Sequence, residues 1–153
     1  MLNLMKIKEV KTPQRTGRNA GFDFFVPSDI KHDPVLGGFM INPGDSCNIP
    51  SGIKVRLPKG YCLVAFNKSG IASKHNLIVG ACVVDENYTG EIHLNLINAG
   101  KVPVLIEPNM KLVQFVLIKQ AYHEICVHKS EESLYKNFNK EERGDKGFGS
   151  TGV

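Results

Sequence analysis

Short apolar or alternating runs recur along the chain between clusters of turn-forming residues. Separators such as Asn42–Asp45 and Pro58–Gly60 combine Pro, which fixes φ, with Gly, which tolerates positive φ. Runs of this length and spacing predict an all-β fold of many short strands, which means a sandwich, a jelly roll or a barrel. The predicted strands are Gly21–Val26, Phe39–Ile41, Ser46–Ile49, Ile53–Leu57, Tyr61–Phe66, Leu77–Val84, Ile92–Ile97, Val104–Ile106, Lys111–Ile118 and Glu124–Val127.

Two segments depart from this strand pattern. The first, Ser69–Asn76, predicts one or two helical turns, and the second, Ser130–Lys140, predicts either a short helix capped by Ser130 or a solvated linker. From residue 139 onward the chain is rich in glycine and polar residues and cannot bury enough apolar area to fold alone. We therefore expect a β core with one short helix over residues 1–138 and a flexible arm over residues 139–153.

Length and hydropathy narrow the class of protein. A chain of 153 residues, of which 42% are hydrophobic, is typical of one domain with one core. No apolar run approaches the roughly 20 residues of a membrane-spanning helix. The first residues place charges after a very short apolar patch and show no signal-peptide pattern. We expect a protein with no membrane partner. We expect it in the cytoplasm, or in the nucleus if its source is eukaryotic.

Charge and cysteine content exclude further classes. The net charge of +4 is not clustered and gives no continuous basic face, so we expect no nucleic-acid partner. The four cysteines, Cys47, Cys62, Cys82 and Cys126, form no C-x-x-C pair, which argues against a zinc ribbon or a redox motif. They are interpreted as free, reduced and mostly buried thiols.

The segment Arg143–Gly152 carries the densest candidate chemistry. It holds four glycines, two cations, two hydroxyls and one aromatic ring within ten positions. Glycines let backbone N–H groups approach phosphate oxygens, and Arg143 can bind those oxygens through its planar guanidinium. Phe148 could stack on a base, a contact usually worth roughly 1–3 kcal/mol. Composition alone, however, favours a disordered tail over a binding segment.

Five collinear segments, taken together, resemble the five sequence motifs of the trimeric dUTPase family. One short match is weak evidence, whereas five in the same order at appropriate separations are highly specific. The segment Arg143–Gly152 fits the fifth motif without a departure. The other four segments are Ala20–Phe24, Asn67–Ala72, Gly80–Glu91 and Asn109–Val116.

The resemblance implies a distorted jelly roll that assembles as a homotrimer. Each active site would lie at a subunit boundary, and the arm would come from another chain. The implied reaction is the magnesium-dependent hydrolysis of dUTP to dUMP and pyrophosphate. Such an enzyme limits uracil incorporation into DNA and supplies dUMP for thymidylate synthesis.

Asp85 and Tyr88 are the predicted reaction and sugar residues. Asp85 follows an apolar strand, and a carboxylate there can take a proton from water as a general base. By resemblance, Asp85 also accepts a hydrogen bond from the deoxyribose 3′-hydroxyl, although a turn-capping Asp is commoner from position alone. Tyr88 matches a family residue whose ring packs under the sugar, where it would exclude a 2′-hydroxyl by steric clash.

The resemblance places uracil against backbone groups of a hairpin. In this sequence those groups belong to Cys82, Val83 and Val84 and to His93 on the returning strand. Backbone donors and acceptors can mimic a base-pairing edge, and a tight hairpin would reject the thymine methyl group. A metal-binding role for His93 lacks a second His or Cys at ligand spacing, so its backbone is the better prediction.

The phosphate and metal residues are also carried over by resemblance. The phosphate residues of the core are Lys68, Ser69, Gly70 and Gln114. The arm adds residues matched to phosphate binding and to stacking on the uracil, the latter by Phe148. These arm residues are Arg143, Phe148, Gly149, Ser150 and Thr151. A helix start at Ser69 would favour phosphate through its free N–H groups and dipole. Asp23 would reach Mg²⁺ through a bound water, which suits an ion that keeps several waters and bridges substrate phosphates.

Some positions depart from the family pattern. Lys68 replaces the more usual Arg and loses its bidentate geometry. Cys82 stands where Gly is common, which requires a negative φ there. Asn87 and Thr89 replace a common Asp and Arg beside Tyr88.

Two other functions stay open at this point. A dCTP deaminase, or a bifunctional deaminase-dUTPase, uses a glutamate near the pyrimidine, whereas this chain has Asp85 with Tyr88 and a full arm. The second is a regulatory protein that senses dUTP or docks another protein without turnover, and a regulatory partner of unknown identity is compatible with either an enzyme or a sensor.

Overall fold

A computed structural model describes residues 1–30 and 33–137 of the chain. Within these residues, short strands account for most of the regular structure, and each helix is only one or two turns long. The strands are β1 (Asn3–Lys6), β2 (Gly21–Phe24), β3 (Phe39–Ile41), β4 (Ser46–Arg56), β5 (Tyr61–Asn67), β6 (Leu77–Val79), β7 (Val83–Val84), β8 (Glu91–Asn98), β9 (Val104–Ile106) and β10 (Val113–Lys119). The helices are α1 (Ser69–His75) and α2 (Glu131–Leu134). The predicted all-β class is confirmed.

The strands form three antiparallel sheets. One has the order β1-β4-β8-β6, a second has the order β2-β10-β5-β7, and β3 pairs with β9. Strand β4 contains an irregularity between Pro50 and Lys54, where Gly52 adopts a φ of 73°. The predicted strands Ser46–Ile49 and Ile53–Leu57 are therefore one strand with a bulge.

The core lies between inward-facing residues of these sheets. Strand β8 alternates strictly, with Ile92, Leu94 and Leu96 buried. Phe24 and Phe115 contact each other in the second sheet with ring centroids 4.6 Å apart. This packing fixes β2 and β10, the two strands that carry Asp23 and Gln114, as a rigid pair.

Several predicted elements were wrong in detail. The run Leu77–Val84 is not one strand, because β6 pairs with β8 whereas β7 pairs with β5, and the chain changes sheet at Gly80. The predicted strand Glu124–Val127 has no regular structure and is exposed. Strand β1 was not predicted, and of the two alternatives for Ser130–Lys140 the short helix is the one observed, over Glu131–Leu134.

The chain divides into two compact units, Met1–Ala121 and Tyr122–Val153. The described part of the second unit contains α2, whose predicted cap is confirmed because the Ser130 hydroxyl oxygen accepts a hydrogen bond from the Ser133 N–H at 3.2 Å. The predicted boundary at residues 138 and 139 lies at the edge of the described residues and stays a prediction.

The cysteines and the helices bear on two further expectations. All four cysteines are free thiols, as predicted, but the prediction that most are buried was wrong, because Cys47 and Cys62 are half-buried and Cys82 and Cys126 are exposed. Burial raises the pKa of the Cys47 thiol to about 11. No helix among the described residues is long and apolar enough to span a membrane.

Candidate active site

A cleft of about 260 Å³ opens beside the loop that joins β7 to β8, and we call it the hairpin cleft. The six residues predicted to hold the base and sugar all line it, although they come from two strands and a turn. They are Cys82, Val83, Val84, Asp85, Tyr88 and His93. The structure thus brings this part of the predicted site together.

The backbone of the cleft wall is fixed by two hydrogen bonds. The Cys82 carbonyl accepts from the Ala65 N–H at 2.7 Å, and the Ala81 N–H donates to Asn95 Oδ1 at 2.8 Å. The Cys82 carbonyl therefore continues the pairing of β7 with β5. Gly80 is needed here because an added Cβ would overlap Asn95 Oδ1.

Asn95 is a site residue that sequence reasoning missed. It lines the hairpin cleft, accepts from Ala81, and donates through Nδ2 to the Cys47 carbonyl at 3.2 Å. The available signal was its position as a polar residue between Leu94 and Leu96, both buried, in an alternating strand.

Tyr88 is held against the turn that carries Asp85. Its hydroxyl donates to the Glu91 carbonyl at 2.8 Å, and its ring covers Gly90 so closely that an added Cβ there would overlap it. His93 Nδ1 lies 3.0 Å from the same carbonyl, which can only accept, so Nδ1 carries the proton in this contact. The ring of Tyr88 is thereby a fixed wall of the cleft, whereas the Asp85 side chain is exposed.

A second cleft, of about 480 Å³, lies at helix α1, and we call it the helix cleft. The predicted phosphate residues Lys68, Ser69, Gly70 and Gln114 all line it. The helix adds residues that were not predicted, including the basic Lys74 and His75 of its last turn. The ammonium groups of Lys68 and Lys74 give the cleft the positive charge that a polyphosphate needs.

Gln114 and Asp23 face each other across β10 and β2. The Gln114 amide donates to the Asn67 carbonyl at 2.8 Å, and its Oε1 occupies the space over Gly21, where an added Cβ would overlap it. The side-chain amide is therefore fixed at the edge of the helix cleft.

The Asp23 carboxylate contacts two ammonium groups. Lys68 Nζ contacts Oδ1, and Lys111 Nζ lies 3.5 Å from Oδ2. No group of three or more His, Cys, Asp or Glu residues that could hold a metal ion occurs in residues 1–30 and 33–137. One carboxylate beside two lysines does not make a protein cage for Mg²⁺, but it fits a water-mediated contact to an ion carried mainly by phosphates.

The linings of the two clefts share no residue of the described chain. The predicted site residues of the described chain are thus divided between two clefts, with Asp85 in one and Lys68, Ser69, Gly70 and Gln114 in the other. The predicted arm residues Arg143, Phe148, Gly149, Ser150 and Thr151 lie outside the described residues, so their predicted contacts stay predictions.

Comparison with known proteins places this geometry in a family. The dUTPase family model matches residues 8–152. The chain belongs to the dUTPase family. A deoxyuridine 5′-triphosphate nucleotidohydrolase of Chlamydia trachomatis serovar L2 is 37% identical over 114 residues, which are 73% of this chain and 74% of that protein. One of Orientia tsutsugamushi is 31% identical over 140 residues, which are 90% of this chain and 85% of that protein.

A viral relative is much longer than this chain. The Pol polyprotein of equine infectious anemia virus is 31% identical over 140 residues, which are 92% of this chain. The chain spans only 11% of the length of that polyprotein.

Solved dUTPase structures share the fold. A Staphylococcus bacteriophage 80alpha dUTPase solved with dUpNHpp superposes with a TM-score of 0.81 at 22% identity, covering 100% of this chain and 99% of the other. The dUTPase of phage phi11 of S. aureus, described with a structural Mg(II) ion, gives a TM-score of 0.72 at 19% identity, covering 86% of this chain and 99% of that one. The predicted jelly roll is confirmed.

Proposed function

We propose that this dUTPase-family chain hydrolyses dUTP to dUMP and pyrophosphate. The observation that carries the proposal is the hairpin cleft, because the six residues matched to base, sugar and general base converge there from separate elements. Curated relatives at 37% and 31% identity are deoxyuridine 5′-triphosphate nucleotidohydrolases, which supports the same substrate for this chain.

The hairpin cleft suits a deoxyuridine in size and wall structure. Uracil would lie against the backbone of Val83 and Val84 and of His93, with Asn95 holding the wall through Ala81. The sugar would pack on the ring of Tyr88. Because both the hydroxyl and the ring face of Tyr88 are fixed, a 2′-hydroxyl would meet a wall that cannot move aside.

Asp85 is proposed as the general base. Its carboxylate is exposed to water at the mouth of the cleft, and an ionised carboxylate can take a proton from a water that attacks the α-phosphorus. The bond from the α-phosphorus to the bridging oxygen breaks, and pyrophosphate leaves with the bond electrons. Holding water and phosphorus in line supplies much of the rate gain, and no covalent enzyme intermediate is needed.

The separation of the two clefts supports a homotrimer. In a trimer, the helix cleft of one subunit can lie beside the hairpin cleft of another, so that Ser69, Gln114 and Lys68 meet the triphosphate of a nucleotide bound near Asp85. Arg143, Phe148, Gly149, Ser150 and Thr151 of an arm would then close over the nucleotide, with charge-assisted contacts from Arg143.

Mg²⁺ is the proposed cofactor, carried by the triphosphate. When bound, it neutralises phosphate oxygens and favours the leaving pyrophosphate. Asp23 would contribute through a bound water, and it would then have to release part of its contact with Lys68. Lys68, once released, would be free to move toward phosphates bound in the helix cleft, which it lines.

In a cell, the proposed reaction would limit uracil in DNA and supply dUMP for thymidylate synthesis. We propose a cytoplasmic or nuclear enzyme whose partners are dUTP and two further copies of itself. The 80alpha dUTPase is described as controlling the transfer of virulence genes, so a protein partner of this chain remains compatible with the proposal.

The test of the proposed reaction is a substrate panel. Pyrophosphate and ammonia release are measured with dUTP, dCTP, dTTP and UTP, each with and without Mg²⁺. We expect pyrophosphate from dUTP alone, dependent on Mg²⁺. Ammonia from dCTP would instead identify a deaminase, and tight dUTP binding without any product would identify a sensor.

The trimer has its own test. A chain lacking residues 143–153 and an Asp85→Asn chain are refolded together and compared with each parent. We expect partial recovery of dUTP turnover in the mixture, because a hybrid can contain a site with both parts intact. Confirmed hybrid assembly without recovery would contradict the exchange of arms between subunits.

A further inference from the structure

The residue that follows Asp85 contacts a different part of the fold from the hairpin cleft. Glu86 does not line that cleft, and its half-buried side chain bonds instead to the turn between β4 and β5. Its Oε2 accepts from the Gly60 N–H at 2.7 Å and from Gln120 Nε2 at 3.3 Å. One carboxylate oxygen thus joins the Asp85 loop, the turn between β4 and β5, and the residue that follows β10.

The partners of Glu86 are themselves fixed by backbone bonds. The Gly60 carbonyl accepts from the Gln120 N–H at 2.9 Å, so the Gly60 residue is held by β10 on one side while it donates to Glu86 on the other. Gly60 has a φ of 80°, a left-handed conformation that favours glycine. Behind this turn, β5 and β10 pair without interruption from Tyr61 opposite Lys119.

The Asp85 loop needs such an anchor because the sheet holds it only briefly. Strand β7 has two residues, Val83 and Val84, and pairing with β5 ends there. Within the loop, the Tyr88 N–H donates to the Asp85 carbonyl at 3.1 Å. Across residues 1–30 and 33–137, nothing hydrogen-bonds to the Asp85 carboxylate itself, so its direction depends on the backbone that carries it.

We infer that Glu86 is a positioning residue for the general base: its carboxylate fastens the loop to the Gly60 turn and to Gln120, so that Asp85 faces the hairpin cleft. Glu86 has this role only if Asp85 is the general base, as proposed above. Hydrogen bonds to an ionised acceptor are stronger and shorter than those between neutral groups, which suits a carboxylate for this anchor. Releasing it lets the Asp85 carboxylate move relative to the bound nucleotide.

The predicted effect is on the rate and not on affinity. Misplacing a reacting group by about 1 Å can cost roughly 100-fold in rate, so Glu86→Ala should lower kcat by roughly 10-fold to 100-fold. KM for dUTP and Kd for dUpNHpp should change by less than about threefold, because the walls that contact base and sugar stay in place. Glu86→Gln keeps an oxygen that can accept from both Gly60 and Gln120, and it should restore most of kcat.

The experiment measures kcat, KM, the pH profile of kcat/KM and dUpNHpp affinity for the full-length trimer. Wild type, Glu86→Ala and Glu86→Gln are compared with Asn87→Ala, an exposed residue of the same loop. The inference predicts a fall in kcat for Glu86→Ala alone, with the acidic limb of the pH profile unmoved. An unchanged kcat, or equal losses of kcat, dUpNHpp affinity and melting temperature, would overturn it, as would a Glu86→Gln chain as slow as Glu86→Ala.

Gln120→Ala decides the matter if Glu86→Ala does not fold. It removes the 3.3 Å contact and leaves the bond from the Gly60 N–H to Glu86 in place, so kcat should fall less, roughly threefold, as expected for one modest hydrogen bond. A kcat equal to wild type would then overturn the inference. A wild-type protein that does not turn over dUTP would instead contradict the proposed function, so the two failures are distinguishable.

Discussion

The side chains of Asp23 and Lys68 form an ion pair that ties strand β2 to the residue that caps helix α1. The two residues are 45 positions apart in the sequence and belong to different motifs of the family. The ammonium group of Lys68 thereby balances the charge of the Asp23 carboxylate. The proposed contact of Asp23 with a nucleotide-bound Mg²⁺ would compete with this ion pair.

Replacing Asp23 with Asn should weaken the response to Mg²⁺ without unfolding the protein. Because both side chains are about one-quarter exposed, the pair contributes about 1 kcal/mol or less to the free energy of unfolding. We expect a small change in melting temperature and a higher Mg²⁺ concentration for half-maximal dUTP turnover. Asp45→Asn, which alters an exposed carboxylate bonded to Asn42, is the matched control. An unchanged Mg²⁺ dependence would leave Asp23 only as a counterion of Lys68 and Lys111.

Tyr88→Ala should raise activity on UTP relative to dUTP, because it removes the ring that would exclude the 2′-hydroxyl. Tyr88→Phe keeps the ring and loses only the 2.8 Å bond to the Glu91 carbonyl, so it should keep most of the discrimination. The measurement is kcat/KM for the two nucleotides with each variant. Equal ratios in wild type and Tyr88→Ala would remove Tyr88 from the selection of the sugar.

Asn95→Ala should weaken nucleotide binding more than it slows the reaction. The Ala81 N–H loses its acceptor, and a lost hydrogen bond of this kind is worth about 1 kcal/mol, or roughly tenfold in dUpNHpp affinity at the upper end. Titration with dUpNHpp measures the change, and Asn19→Ala, at an exposed turn position, serves as the control. Wild-type affinity in Asn95→Ala would show that the wall does not depend on this side chain.

The cysteines should differ in reactivity and in their effect on stability at high pH. Cys82 is exposed in the hairpin cleft, so dUpNHpp should protect it from alkylation, whereas Cys126 should react equally with and without nucleotide. Burial raises the pKa of Cys47 from 9.0 to about 11, which disfavours its thiolate in the folded protein. The protonated Cys47 thiol therefore contributes to the free energy of unfolding. This contribution is complete below pH 9 and is lost as the pH rises toward about 11. We expect Cys126 to be alkylated faster than Cys47 in the folded protein, and mass spectrometry of the alkylated protein measures both rates. A Cys47 that reacts as fast as Cys126 would contradict this expectation.

Local pattern predicted much of this fold because most strands have one buried face. In β8, the alternation of Ile92, Leu94 and Leu96 with polar neighbours shows in the sequence alone. The pairing partners of the strands cannot be seen in the sequence alone. Leu77–Val84 is one apolar run, although its two halves pair with strands of different sheets. Strand β1 was missed because all four of its residues are exposed and show no alternation.

The sequence predicted those residues of the site that belong to the family motifs. Asp85 and Tyr88 were found because the segment Gly80–Glu91 resembles a family motif, and the structure places both at one cleft. The bonds that hold them were not predictable, because Asn95, Gly60 and Gln120 act through contacts between segments far apart in the chain.

The most direct measurement is pyrophosphate release from dUTP by the wild type and by Asp85→Asn, together with the dUpNHpp affinity of each. The amide keeps the shape of the side chain but cannot take a proton from water, and general-base catalysis is typically worth about 10² to 10⁴ in rate. We predict that kcat falls by a factor in that range while dUpNHpp binds as tightly as before. A variant that turns over dUTP at the wild-type rate, or that loses affinity as steeply as rate, would contradict Asp85 as the general base of a dUTP hydrolase.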